Sequence, residues 1–152
     1  MIKRITNPEE FELVINDIYK LFLEDDEKNA HVLGLKHNKE TIINSFGTSK
    51  LLAFDVFVWA NKTENVYDSV GIFILSNNVK FGIKFLSEFL WLSKNPKAGF
   101  KILKEATALA REKGVEYITI SSVNNHPKHE RNERFYEKLG FVKDSTTFIA
   151  KL

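Results

Sequence analysis

The chain of 152 residues contains no cysteine, which excludes disulfide cross-links and thiolate chemistry of any kind. It also lacks an apolar run of membrane-spanning length, an internal repeat and a low-complexity tract, so neither a membrane protein nor a repeat architecture is expected. An excess of charge of one sign is missing too. Lys and Arg outnumber Asp and Glu by only 22 to 20, too even a balance to argue for a nucleic-acid partner despite a pI near 8.7. The opening Met1-Ile2-Lys3-Arg4-Ile5-Thr6 has no signal-peptide core, and a cytoplasmic protein is the expectation. What is present is 43% hydrophobic residues, enough for one well-buried core and, at this length, not for two ordinary domains. A single domain over residues 1–152 is expected, as a monomer or a homodimer.

Charge is unevenly spread. Glu24, Asp25, Asp26 and Glu27 close the first helical segment, whereas Lys94, Lys97, Lys101 and Lys104 crowd a later one. Residues 2–5 suit a short strand, after which Asn7 caps a helix with Pro8 at its first position and Glu10 completing a capping box. Phe11, Val14, Ile15, Ile18 and Phe22 recur at helical spacing, so this helix should end near Leu23. A looser helix is expected over residues 39–46. Residues 51–60 and 66–76 are β-favouring runs separated by the polar residues 61–65, as in an antiparallel hairpin. A third run, 81–92, is apolar on both faces, as a strand covered from two sides would be.

From about Ala98 to Lys113, Ile102, Leu103, Ala106, Leu109 and Ala110 share one face and Gly114 follows, which predicts an amphipathic helix with a glycine stop. A strand over 115–123 follows at once, making a strand, helix, strand crossover with parallel strands and right-handed connection. Near the end, Glu130, Arg131, Glu133, Arg134, Glu137 and Lys138 solvate one side of a further helix, Phe135 and Leu139 lie four apart on the other, and Gly140 ends it. Short strands are expected at 141–143 and 147–151. The fold class is therefore α+β with a mixed sheet of about seven strands, in the order β-α-α-β-β-β-α-β-α-β-β.

That order, with Phe135-Tyr136-Glu137-Lys138-Leu139-Gly140-Phe141 in its last helix, resembles the GNAT N-acetyltransferase superfamily over nearly the whole chain. The resemblance implies the GNAT fold, acetyl-CoA as acyl donor and a primary amine of a small molecule or a protein as acceptor. It implies that strands 81–92 and 115–123 splay apart and that the diphosphate meets the first turn of the following helix. A helix start suits an anion because its unpaired N–H groups and dipole point outward. The family's diphosphate motif is matched here by Lys94-Asn95-Pro96-Lys97-Ala98-Gly99, with lysine at the middle glycine position. A positive φ there would be strained by lysine. The segment is similar to a Gly-Arg-Ala-Gly variant of phage-type members, where a basic residue also stands at that place.

On the same resemblance, Tyr136 is the general acid that protonates the departing sulfur, and the donor is bound by Leu90, Leu92, Lys94, Lys97, Ala98, Gly99, Phe100, Lys101, Asn124 and Tyr136. Glu88 is the only ionisable group amid Phe85-Leu86-Ser87-Glu88-Phe89-Leu90-Trp91. A carboxylate there is costly unless it faces a cleft or finds a partner, and partial burial would tune it toward a general base. Asp55 raises the same question with less support. Asn125 beside Asn124 is equally ordinary turn chemistry before Pro127. His126 and His129 lack a third ligand, so no metal is expected. His31 or His37 could line the acceptor cleft, shaped on the resemblance by residues 23–46. The alternative to an enzyme is a non-catalytic module of the same fold, with Lys97 marking a degenerate donor loop.

Overall fold

The computed structural model describes residues 1–28, 31, 33–46, 56–122 and 128–152. Asp55, Asn124, Asn125, His126 and the strand start expected over 51–55 lie outside the described residues. The elements are β1 (Ile2–Ile5), α1 (Pro8–Lys28), α2 (Lys39–Ser45), β2 (Val56–Thr63), β3 (Val66–Asn78), β4 (Ile83–Ser93), α3 (Pro96–Glu112), β5 (Tyr117–Thr119) and α4 (His129–Lys138). Strands β1 to β5 form one mixed sheet in chain order. The first three pairings are antiparallel, and β4 with β5 is parallel. Among the described residues, no helix is long and apolar enough to cross a membrane.

Alternation along the strands builds three layers, because successive side chains leave a strand on opposite faces. Ile5, Val58, Ala60, Val70 and Ile72 pack under α1, which contributes Phe11, Val14, Ile15, Ile18 and Phe22, and under Ile42 of α2. Phe57, Trp59, Phe73 and Leu86 point the other way, onto Ile102, Leu103, Ala106, Leu109 and Ala110 of α3. Gly71 permits this second contact. A Cβ at Gly71 would stand 2.4 Å from Ile102 Cγ2, so α3 presses on bare backbone there.

Several boundaries differ from expectation. Helix α1 continues past Leu23 to Lys28, since the acidic residues that follow propagate a helix as well as solvate it. The hairpin loop is only Glu64 and Asn65, with φ of 50° and 66°, the left-handed pair of a two-residue turn. The strands run through residues 61–63 because Asn61 is buried and its amide reaches Asp68 Oδ1 at 2.8 Å. The sheet has five strands among the described residues, not about seven. Residues 141–152 carry no strand, and Val142 and Phe148 stand exposed. High β-propensity makes a strand only beside a free edge, and β5 is three residues long.

Candidate active site

The parallel pairing of β4 with β5 consists of Phe85 with Tyr117, Leu86 with Ile118 and Ser87 with Thr119. Beyond Ser87 and Thr119 the two strands part. One step further, Glu88 Oε2 accepts the backbone N–H of Ser121 at 3.0 Å, so the carboxylate spans the mouth of the opening. Ser121 thus gives its N–H to a side chain instead of to the sheet, which is why β5 stops well short of residue 123. Burial raises the Glu88 carboxyl above its ordinary 4.5, and the Ser121 hydrogen bonds only partly offset this.

A β-bulge sits at the same place. Phe73 pairs with Glu88 and Ile72 with Leu90, leaving Phe89 without a ladder partner. Phe89 and Leu90 consequently share a face: the Phe89 ring lies 4.6 Å from Phe46, and Leu90 packs with Leu92 against the α1 layer. The side chains of Leu90 and Leu92 therefore turn away from α3. Trp91 turns toward it.

Tyr136 reaches this opening from α4. Its ring stacks on Trp91 at 6.3 Å and 28° and meets Phe141 at 6.2 Å. The helix stop holds it there: Phe141 N–H reaches the Tyr136 carbonyl and Gly140 N–H the Glu137 carbonyl, each at 3.0 Å. With Gly140 at φ 91° this is the left-handed closure expected from the sequence, and the ring of Phe141 clasps that of Tyr136 across it. Burial first, and the Glu88 charge second, push the Tyr136 phenol up to about 12. Glu88 and Tyr136, 48 positions apart in the chain, are thus electrostatically coupled across one opening.

The residues expected at the diphosphate are spread over the start of α3. Lys97 is a helical residue without positive φ, so the strain anticipated for lysine at that position does not arise. Lys94, Lys97 and Lys101 are exposed. Ala98 and Gly99 are buried. A Cβ at Gly99 would lie 3.0 Å from Ser93 Cβ and 3.5 Å from Trp91 Nε1, so this glycine lets α3 close on β4. Phe100 meets Phe135 edge to face at 6.1 Å, and Lys104 Nζ lies 4.7 Å above its ring. Among the described residues the buried Trp91 indole N–H has no hydrogen-bond partner.

Two participants escaped the sequence reading. Asn95 caps α3, its Oδ1 accepting the N–H groups of Lys97 at 3.1 Å and Ala98 at 3.3 Å. The signal was present, since Asn95-Pro96 repeats the Asn7-Pro8 start of α1. Trp91 was hidden by the bulge, which shifts the alternation after Glu88. His129 is engaged by Ser122 Oγ at 2.8 Å and by Glu133 Oε1 at 3.4 Å, and no group of three metal-binding side chains occurs among the described residues.

No family model matches the sequence, and no curated protein matches it. Solved structures match its fold along the full length. A tetramutant of the BH1408 protein from Bacillus halodurans is 14% identical with a TM-score of 0.73, covering 100% of this chain and 99% of that one. A predicted acetyltransferase with acetyl-CoA from Clostridium acetobutylicum is 11% identical with a TM-score of 0.72, covering 99% and 95%. An aminoglycoside acetyltransferase from an uncultured soil metagenomic sample, in complex with sisomicin, is 12% identical with a TM-score of 0.70, covering 100% and 95%. At these identities the likeness is one of fold, a fold shared with solved structures named as acetyltransferases.

Proposed function

We propose that residues 1–152 form one GNAT-type N-acetyltransferase domain that moves the acetyl group of acetyl-CoA to a primary amine of a small molecule or a protein. The observation that carries this reading is the parting of β4 and β5, with Glu88, Ser121, Tyr136, Trp91 and the start of α3 gathered at the opening. The residues fit such a donor. Lys94, Lys97 and Lys101 and the positive end of α3 favour a diphosphate, and Gly99 lets that helix start close on β4 beside Trp91. Residues 94–99 are also the feature similar to phage-type members.

The donor supplies a thioester carbonyl and a leaving thiolate; the chain supplies placement and two proton sites. As the amine nitrogen bonds to the carbonyl carbon and the carbon–sulfur bond breaks, Glu88 takes the proton of the amine and Tyr136 gives its phenolic proton to the sulfur. A phenol pushed up to about 12 is fully protonated at neutral pH but is a reluctant acid. Protonation of Glu88 removes the negative charge that adds to that reluctance. The acid is strengthened at the moment the base is used.

One observation favours the second reading, a non-catalytic module of the same fold: Asn95 already occupies two first-turn N–H groups of α3. Calorimetric titration with acetyl-CoA and CoA separates the two readings, and absence of heat for both would leave only the module. In the enzyme, Tyr136→Phe is expected to lower kcat by roughly 10²-fold, the lower range for a general acid, with acetyl-CoA affinity unchanged. Undiminished turnover would remove Tyr136 from the chemistry.

A further inference from the structure

We propose that Ser122 is a second reactive centre, a serine activated by His129 that takes a short acyl group from an activated ester or thioester and passes it to water. The steps assigned to Glu88 and Tyr136 use neither residue, so this centre goes beyond the transferase reading and stands without it. Ser122 Oγ and His129 Nδ1 lie 2.8 Å apart. On its far side the same imidazole brings Nε2 to 3.4 Å from Glu133 Oε1, and Lys143 Nζ meets that oxygen at 3.0 Å. A hydroxyl within hydrogen-bond reach of a base, with the base oriented by a third group, is the arrangement that activates a nucleophile.

Three parts of the chain build this row. Ser122 follows β5, His129 and Glu133 stand one turn apart on α4, and Lys143 comes from the segment after the Gly140 stop. Their order fixes the proton positions. The hydrogen bond from Lys143 holds the Glu133 carboxyl below its ordinary 4.5, so near neutral pH Glu133 only accepts. The nitrogen facing it, Nε2, therefore carries the proton of a neutral imidazole. Nδ1 is left with the lone pair, and Nδ1 is the nitrogen that meets the Ser122 hydroxyl.

The row borders the opening between β4 and β5. Ser122 directly follows the residue whose N–H meets Glu88, one Cα step of about 3.8 Å, so an acyl group carried to the opening arrives beside it. Ser122 is half-buried between β5 and α4, which suits a short acyl group. In the first step Ser122 Oγ bonds to the carbonyl carbon and the bond from that carbon to the leaving oxygen or sulfur breaks. The hydroxyl proton passes through His129 Nδ1 to the departing atom. In the second step water bonds to the same carbon, its proton returns through Nδ1 to Ser122 Oγ, and the carboxylic acid leaves. Ester and water thus become acid and alcohol, with no other reactant.

The test labels the whole protein with diisopropyl fluorophosphate, which leaves a stable phosphoryl adduct on an activated serine, and separately follows nitrophenolate release from p-nitrophenyl acetate. Peptide mass mapping is expected to place the adduct on Ser122 and not on Ser121. The release that disappears in Ser122→Ala should fall roughly 10²-fold in His129→Ala, the lower range for a general base, and free imidazole should restore part of it. Glu133→Gln should slow release less, with Glu133→Asp recovering part of the rate. Absence of the adduct from Ser122 in the unaltered protein, or equal release from His129→Ala, overturns the inference. Neither readout involves CoA: labelled Ser122 in protein that gives no heat with acetyl-CoA upholds this centre and overturns the transferase reading alone.

Discussion

Helices α3 and α4 are both amphipathic and close on glycines of positive φ, Gly114 at 67° and Gly140 at 91°, with the same paired terminal hydrogen bonds, yet they pack differently. Seven residues of α3 are buried, from Ala98 to Ala110, and none of α4 is. Phe135 and Leu139, the apolar stripe of α4, remain 40% and 38% exposed. Helix α3 is therefore anchored by area. Helix α4 is anchored chiefly by rings, those of Trp91, Phe100 and Phe141 around Phe135 and Tyr136. The same local pattern thus serves stability in one place and the presentation of a phenol in the other.

The contrast is easiest to break with core truncations. Ile102→Ala should lower the unfolding free energy by about 2–5 kcal/mol, and Leu139→Ala by less than about 1 kcal/mol. Equal losses in urea unfolding would mean that α4 belongs to the core. A finer comparison uses the two stops. Gly114→Ala and Gly140→Ala meet no atoms of the described residues within 4 Å, so each is expected to carry the strain of a left-handed alanine, about 1 kcal/mol. At Gly114 this should be visible only as lost stability. At Gly140 turnover should also fall, because the stop sets the place of Tyr136; matching kinetic effects from the two variants would contradict that role.

The smallest effect concerns pH. The folded carboxyl of Glu88 lies above its ordinary 4.5, so the folded chain holds this proton more tightly than the unfolded one. The contribution to stability is present below 4.5 and is lost as pH rises through the raised folded value. Glu88→Gln should flatten that part of the urea-midpoint profile. It should also lower the alkaline midpoint of Tyr136, read as the phenolate absorbance missing from Tyr136→Phe. An unmoved midpoint would uncouple the two groups.

What was legible in the sequence was what neighbouring residues encode. The Gly140 stop, the crossover through α3 and the lysines at its start follow from spacing and capping over a few residues. The bulge at Phe89 has no such signature, since nothing in Ser87-Glu88-Phe89-Leu90 marks it and it arises from pairing with β3. The Asp26–His37 contact likewise joins a helix end to a loop that only folding brings back. The C-terminal strands failed for the converse reason: Phe148 and Ile149 have strand propensity, but no sheet edge receives them. Asn95 was encoded locally all along, by an asparagine before a proline.

Trp91 has one more consequence. The chain has two tryptophans: Trp59 is sealed in the core beneath α3, and Trp91 stacks on Tyr136. Light emitted by the first is insulated from events at the surface, whereas that of the second depends on a single phenol and on whatever settles beside it. A donor bound at the proposed site would therefore be read in Trp91, with Trp59 as the internal reference.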